Sequence, residues 1–203
     1  MKLQKTLPFF SYLFHPIFIS FFGTLVYFSI THSFFFINQI YLIGIQVLIL
    51  TILLPLSLYF LLKSMGKVSS FSEADIQQRK LPLLIQAFLL YVLFYRSASL
   101  EISPELFYFF QGGFWCAVLA FVLLLFRVKA SLHMMGVVSL VVFTAFLSVK
   151  YYTSISYLLV GFLLIGLVAS SRLYMKAHTV RELLVGSFLG FSTQIAMIYL
   201  GDF

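Results

Sequence analysis

Charge is scarce in this 203-residue sequence: Asp, Glu, Lys and Arg make up 9% of it, against an apolar share of 62% and a mean hydropathy of +1.07. A water-soluble domain of that composition would lack the polar residues to cover its own surface. Acid is scarcer still. Of the six carboxylates only Asp75 and Asp202 are aspartates, so the paired Asp-rich clusters that hold magnesium in metal-dependent prenyl transferases have nothing to be built from. The single cysteine, Cys116, lies in an apolar run, which excludes a disulfide framework and a thiolate metal cluster. No His-Glu-x-x-His pair, Gly-x-Ser-x-Gly elbow, internal repeat or low-complexity tract occurs.

What is present is long apolar runs. They cover roughly Pro16 to Phe36, Ile40 to Leu62, Leu81 to Tyr95, Leu106 to Phe126, His133 to Val149, Ser154 to Ser170 and Leu183 to Leu200. With roughly 20 residues needed per crossing, they predict an all-α, polytopic bundle of six to seven transmembrane helices in one domain, residues 1–203. The third, fifth and sixth runs are short and are expected to borrow flanking residues or thin the bilayer. Met1 to Lys5 and the run after it resemble a secretory leader, but no small-residue cleavage site follows, and the segment is read as an uncleaved first span. Between the second and third runs, Ser70 and Glu73 have capping-box spacing, which predicts a short interfacial helix from Phe71 towards Lys80, with Pro82 in the opening turn of the next span. His15 and His32 read as interfacial residues without partners.

The net charge of +7 comes from basic residues spread among short segments, a pattern that suits anionic headgroups or phosphates and not nucleic acid. Seven crossings put Lys2, Lys5, Lys63, Lys67, Arg79, Lys80, Arg127, Lys129, Arg172, Lys176 and Arg181 on one face and leave Arg96 and Lys150 for the other. The positive-inside rule makes the basic face cytoplasmic. The expected setting is a bacterial inner membrane.

Polar residues of chemical interest gather on that same face. Ser171-Arg172 is followed after five residues by His178 and after three more by Glu182. If the last helix begins by about Ala177, His178 and Glu182 share a face at i, i+4, so the carboxylate can hold one imidazole nitrogen and leave the other to react. The same helix start favours an anion. Two crossings upstream stand Lys129, Ser131 and His133, and two before that Arg79, Lys80 and Pro82.

These three clusters, in this order, resemble the type 2 phosphatidic acid phosphatase (PAP2) superfamily. Its pattern joins a lysine and an arginine-proline pair, then Pro-Ser-Gly-His, then Ser-Arg-x5-His-x3-Asp. The third part matches at Ser171, Arg172 and His178, with Glu182 in place of Asp; the second is kept as Ser131 and His133, with Ala130 for Pro and Leu132 for Gly. In the first, Arg79 and Pro82 stand two residues further apart than in the family, and Ser72 holds the place of the lysine. The resemblance covers residues 79–190 and leaves the two spans within 1–62 outside it.

It implies a divergent member that hydrolyses a lipid phosphomonoester or pyrophosphate with no metal or other cofactor. His178 would attack phosphorus and form a phosphohistidine, with Glu182 orienting it. Arg79, Arg172, Ser131 and Ser171 would hold the phosphoryl group, with Lys129 or Lys80 replacing the absent lysine. His133 would protonate the leaving group and then activate water. Family members commonly act on the extracytoplasmic side, opposite to the charge count. Two alternatives stay open: a PAP2-like protein without catalysis that serves as a binding or assembly subunit with a membrane-protein partner, and a small transporter. Leu132 and the missing lysine favour the first of these; the lack of charge within the runs disfavours the second.

Overall fold

The computed structural model describes residues 2–67, 76–96 and 102–201, and every regular element among them is helical. In order they are α1 (Lys2–Leu13), α2 (Pro16–Thr31) with a 3-10 turn (His32–Phe34), α3 (Ile37–Leu48), a π turn (Ile49–Leu53), α4 (Leu54–Ser64), α5 (Ile76–Arg96), α6 (Pro104–Leu125), α7 (Leu132–Lys150), α8 (Ser156–Tyr174) and α9 (Val180–Leu200). Among the described residues six helical stretches are long and apolar enough to cross a membrane, namely α2 with its 3-10 turn, α3 through α4, α6, α7, α8 and α9. The protein is an integral, multi-pass, all-α membrane protein. Phe60, Phe88, Phe162, Phe188 and Phe191 stand exposed on its outer surface, where lipid, not water, is the solvent.

The boundaries differ from the sequence expectation at the first and third runs. The first apolar stretch is broken: α1 ends at Leu13 and α2 restarts at Pro16, because a residue before proline is pushed out of the helical region and His15 is extended, ψ 141°. The third span does not open at Pro82. Gln77, Gln78, Arg79 and Lys80 are competent helix formers and start α5 at Ile76, so both Arg79 and Pro82 lie inside the helix. The proposed Ser70–Glu73 cap, the start of the interfacial helix at Phe71, and Ser72 lie outside the described residues. The short runs are completed by flanking polar residues, giving lengths of 21, 19 and 19 for α5, α7 and α8, the last now including Arg172.

The helix α7 is the centre of the bundle. It is apolar around its whole circumference, and Val137, Val138, Leu140, Val141, Phe143 and Leu147 are all buried, the pattern of a helix surrounded by others. The α2 and α6 helices meet it through Phe109, stacked on Phe143 with centroids 4.4 Å apart; a Cβ on Gly23 would meet the Phe109 ring, so α2 needs a glycine there. The closest approach is that of α9. Gly186 and Gly190, four residues apart, lie against the backbone carbonyls of Ser131 and Met135, and a Cβ added at either would collide with those oxygens. Ser139 Oγ donates to the Gly190 carbonyl at 3.0 Å. Small residues at this spacing let two membrane helices touch backbone to backbone. The contact also lays the start of α9 on the start of α7: the Ser131 amide donates to the Glu182 carbonyl at 3.0 Å.

Candidate functional site

The site forms where α7 and α9 begin and α8 ends. Past the Met175 C-cap of α8, Lys176 takes a left-handed φ of 52°, and the Ala177 and Lys176 amides donate back to the carbonyls of Arg172 and Leu173. This is a Schellman closure, which turns the chain sharply and returns Ala177 and His178 over the Arg172 turn. Thr179 then caps α9: its hydroxyl accepts from the Glu182 amide and Glu182 accepts from the Thr179 amide, a reciprocal capping box. The last helix therefore begins at Val180 and not by Ala177, so His178 lies before the cap and outside the helix. The imidazole and carboxylate still meet, through the capping box instead of a shared helical face.

His178 Nδ1 lies 2.6 Å from Glu182 Oε2. A carboxylate only accepts, so Nδ1 carries the hydrogen and Nε2 presents a lone pair. The Lys129 Nζ stands behind the pair, 3.8 Å from the same carboxylate oxygen and donating to the Ala177 carbonyl at 3.2 Å. The His178 side chain is 2% exposed. Burial, together with the positive charges of Arg172, Lys129 and Arg79, pushes its pKa down to about 4 against the upward pull of the Glu182 hydrogen bond. At neutral pH the imidazole is uncharged and nucleophilic.

A pH dependence follows from that direction. Any rate that needs neutral His178 stays level on its acid side from pH 7 to near 5 and falls only as pH approaches about 4. Stability has its own sign: the unfolded chain takes the proton first, near a pKa of about 6.5, so His178 costs the fold nothing above that value and destabilises it progressively from there down to about 4. A pH-rate profile, and the melting temperature of wild type against His178→Gln at pH 7 and pH 5, check both. An acid limb near 6.5, or equal acid sensitivity in the two proteins, contradicts the assignment.

His178 lines a cavity of about 240 Å³ with Arg172, His133, Arg79 and His15 at one end. Arg172 is 1% exposed, a guanidinium carried into the bundle at the end of α8. His133, buried on the second residue of α7, has its Nε2 3.0 Å from the Ser11 carbonyl. A carbonyl only accepts, so this nitrogen is protonated and Nδ1 is the acceptor of the neutral ring. The His15 ring meets that of His133 edge to face, 5.1 Å between centroids, and its Nδ1 accepts from the Ile17 amide.

Of the residues that the sequence singles out, Arg79, His133, Arg172 and His178 thus share one cavity, with Glu182 and Lys129 behind His178. The others are placed differently. Ser131 Oγ accepts from the Met134 amide as the cap of α7, and Ser171 Oγ is bonded to Ser11 Oγ at 2.7 Å; neither lines the cavity. Lys80 does not line it either. Leu132 does.

Two contributors escaped sequence reading. Ser11 holds His133 through its carbonyl and Ser171 through its hydroxyl, and His15, expected to have no partner, sits beside His133. The signal available was the His15-Pro16 pair, which marks a break where an imidazole can leave the lipid face. Comparison with protein-family models, curated proteins and solved structures gives no match to this chain.

Proposed function

We propose that the protein is a metal-independent lipid phosphatase of PAP2-like type, acting through a phosphohistidine. The reading is carried by one observation: neutral His178, held on Nδ1 by Glu182, turns Nε2 to a cavity walled by Arg79, Arg172 and His133. Nε2 attacks phosphorus, the bond from phosphorus to the leaving oxygen breaks, and the two guanidiniums stabilise the charge growing on the phosphoryl oxygens. His133, with its Nε2–H taken by Ser11, accepts on Nδ1 the proton that the phosphate monoanion itself carries and passes it to the leaving oxygen. It then accepts one from the water that splits the N–P bond, which frees phosphate and restores His178. In this scheme Lys129 serves the Glu182 carboxylate and not the phosphate, and Ser131 acts as a helix cap.

Purified protein in nanodiscs, with chelator present, should release phosphate from phosphatidate or a polyprenyl pyrophosphate and trap a base-stable, acid-labile phosphoenzyme. A second reading, a catalytically silent lipid-phosphate binder, is favoured by the Leu132 side chain on the cavity wall and by the absent lysine. No turnover of any lipid phosphate would establish it over the first.

We also place the site on the cytoplasmic side of the membrane: with α5 counted as a seventh crossing, eleven of the thirteen basic residues fall on its face. A cysteine introduced at Ser72, in a Cys116→Ala background, should resist an impermeant thiol reagent in intact cells and react after lysis. Labelling in intact cells reverses the orientation.

A further inference from the structure

The cavity does not end where the cations do. Beyond Arg79 and the three imidazoles its wall becomes largely apolar, formed by Ile19 of α2, Leu83 and Leu90 of α5, and Phe109 and Cys116 of α6, with Ser20, Tyr59 and Gln86 as its polar side chains. From Arg79 to Leu90 the wall follows one helix through eleven residue-to-residue steps, a depth of about 16 Å at a rise of about 1.5 Å per residue. That is about half of a hydrocarbon core roughly 30 Å thick. Along the shaft Ser139 spends its hydroxyl on the Gly190 carbonyl. A free phosphate has no use for such a shaft, whereas an amphiphile with an anionic head matches both of its ends.

Size narrows the class. About 240 Å³ falls below the roughly 300–1,000 Å³ typical of sites for drug-sized ligands, too little to enclose two hydrocarbon chains together with a head. We propose that the apolar shaft binds the chain of a single-chain lipid phosphate, and that the protein selects such molecules over two-chain phosphatidate. The proposal rests on the reading above for which end takes the phosphate. Lipid tails are as apolar as the shaft, so the selection works by exclusion of the second chain and not by hydrophobic gain.

Gly113 supplies the test. It lines the shaft, and a Cβ there meets nothing closer than Leu90 Cδ1 at 3.6 Å, an ordinary contact, so a larger side chain grows into the space without striking backbone. Binding is read on full-length His178→Ala protein in nanodiscs, which removes turnover from the measurement. The probes are 16-carbon lysophosphatidate, phosphatidate with two 16-carbon chains, and butyl phosphate as the head alone.

Lysophosphatidate should bind at least ten-fold more tightly than either of the others. Adding Gly113→Phe should lower its affinity at least ten-fold and leave butyl phosphate unchanged. Phosphatidate binding as well as lysophosphatidate, or a Gly113→Phe effect equal on long and short probes, overturns the proposal. The ratio in the protein that keeps Gly113 stands by itself if the double variant does not fold. Single-chain preference without hydrolysis in the wild type removes the enzyme reading alone; hydrolysis without preference removes the chain site alone.

Discussion

Replacing His178 by alanine is expected to lower hydrolysis of lipid phosphate by at least about 10³-fold and to abolish the phosphoenzyme, since the step that makes the N–P bond loses its nucleophile. Arg79 and Arg172 still line the cavity in the variant, so charge stabilisation survives and a small residual rate is expected. The imidazole leaves its space beside Glu182, and the carboxylate that oriented it is intact. Added imidazole should therefore enter the cavity, bond to Glu182 and restore part of the rate, reaching saturation as its concentration rises. Full activity in His178→Ala, or a phosphoenzyme that persists, would show that another group attacks phosphorus. Loss of activity with no imidazole rescue and no folded protein by gel filtration would be read as structural, which is why the rescue is part of the measurement.

Glu105→Ala is expected to destabilise the fold by about 3 kcal/mol, the lower end of the cost of breaking a buried charge pair, because Lys150 retains some access to solvent. Glu105 lies at the start of α6, at the opposite end of the bundle from His178 and Arg172, with its side chain 5% exposed. Lys150 Nζ and Tyr151 Oη donate to Oε1 at 2.8 and 2.7 Å, and Tyr27 Oη donates to Oε2 at 3.0 Å. One carboxylate thereby ties α2, α6 and the end of α7. Burial and the neighbouring carboxylate hold the Tyr151 pKa well above its usual value, so its hydroxyl stays a donor at any ordinary pH.

Alanine strands a cation and the Tyr27 hydroxyl, which belongs to a residue itself 1% exposed. In a chain of this size the loss corresponds to a fall in melting temperature of roughly 6–12 °C. Removing the cation as well, in Glu105→Ala with Lys150→Met, should recover part of it. A shift under about 2 °C would mean that water or headgroups replace the carboxylate at little cost.

The helices were legible because each crossing is a long apolar run, and the chemistry was legible where residues sit close in sequence: Arg172, His178 and Glu182 lie within eleven positions. Contacts between distant segments were not. Ser11 lies 160 residues from Ser171 and 122 from His133, and no local pattern links them. Glu105 stands just before the apolar run that opens at Leu106, and its partners Tyr27, Lys150 and Tyr151 come from other helices, so only tertiary packing turns this boundary acid into a buried one. Lys129, which the resemblance offers as a replacement for the absent lysine, has an anion of the protein itself, Glu182, 3.8 Å away, and no local pattern announces that pair. The capping box at Thr179 was overlooked because the His178 to Glu182 spacing already had a simpler helical explanation.

The π turn at Ile49–Leu53 adds one residue to a stretch that is otherwise α-helical from Ile37 to Ser64. At about 100° per residue, the nineteen steps from Ile43 to Leu62 overshoot five full revolutions by about 100°. The extra residue absorbs that overshoot. Ile43, facing the core, and Leu62, facing the cavity, consequently lie in one angular line, both buried. Deleting a single residue within Ile49–Leu53 would swing Pro55, Leu58 and Leu62 a quarter turn towards the bilayer while the helix kept its hydrophobicity and nearly its full span. The wall of the cavity is thus encoded as a phase, which a hydropathy profile does not register.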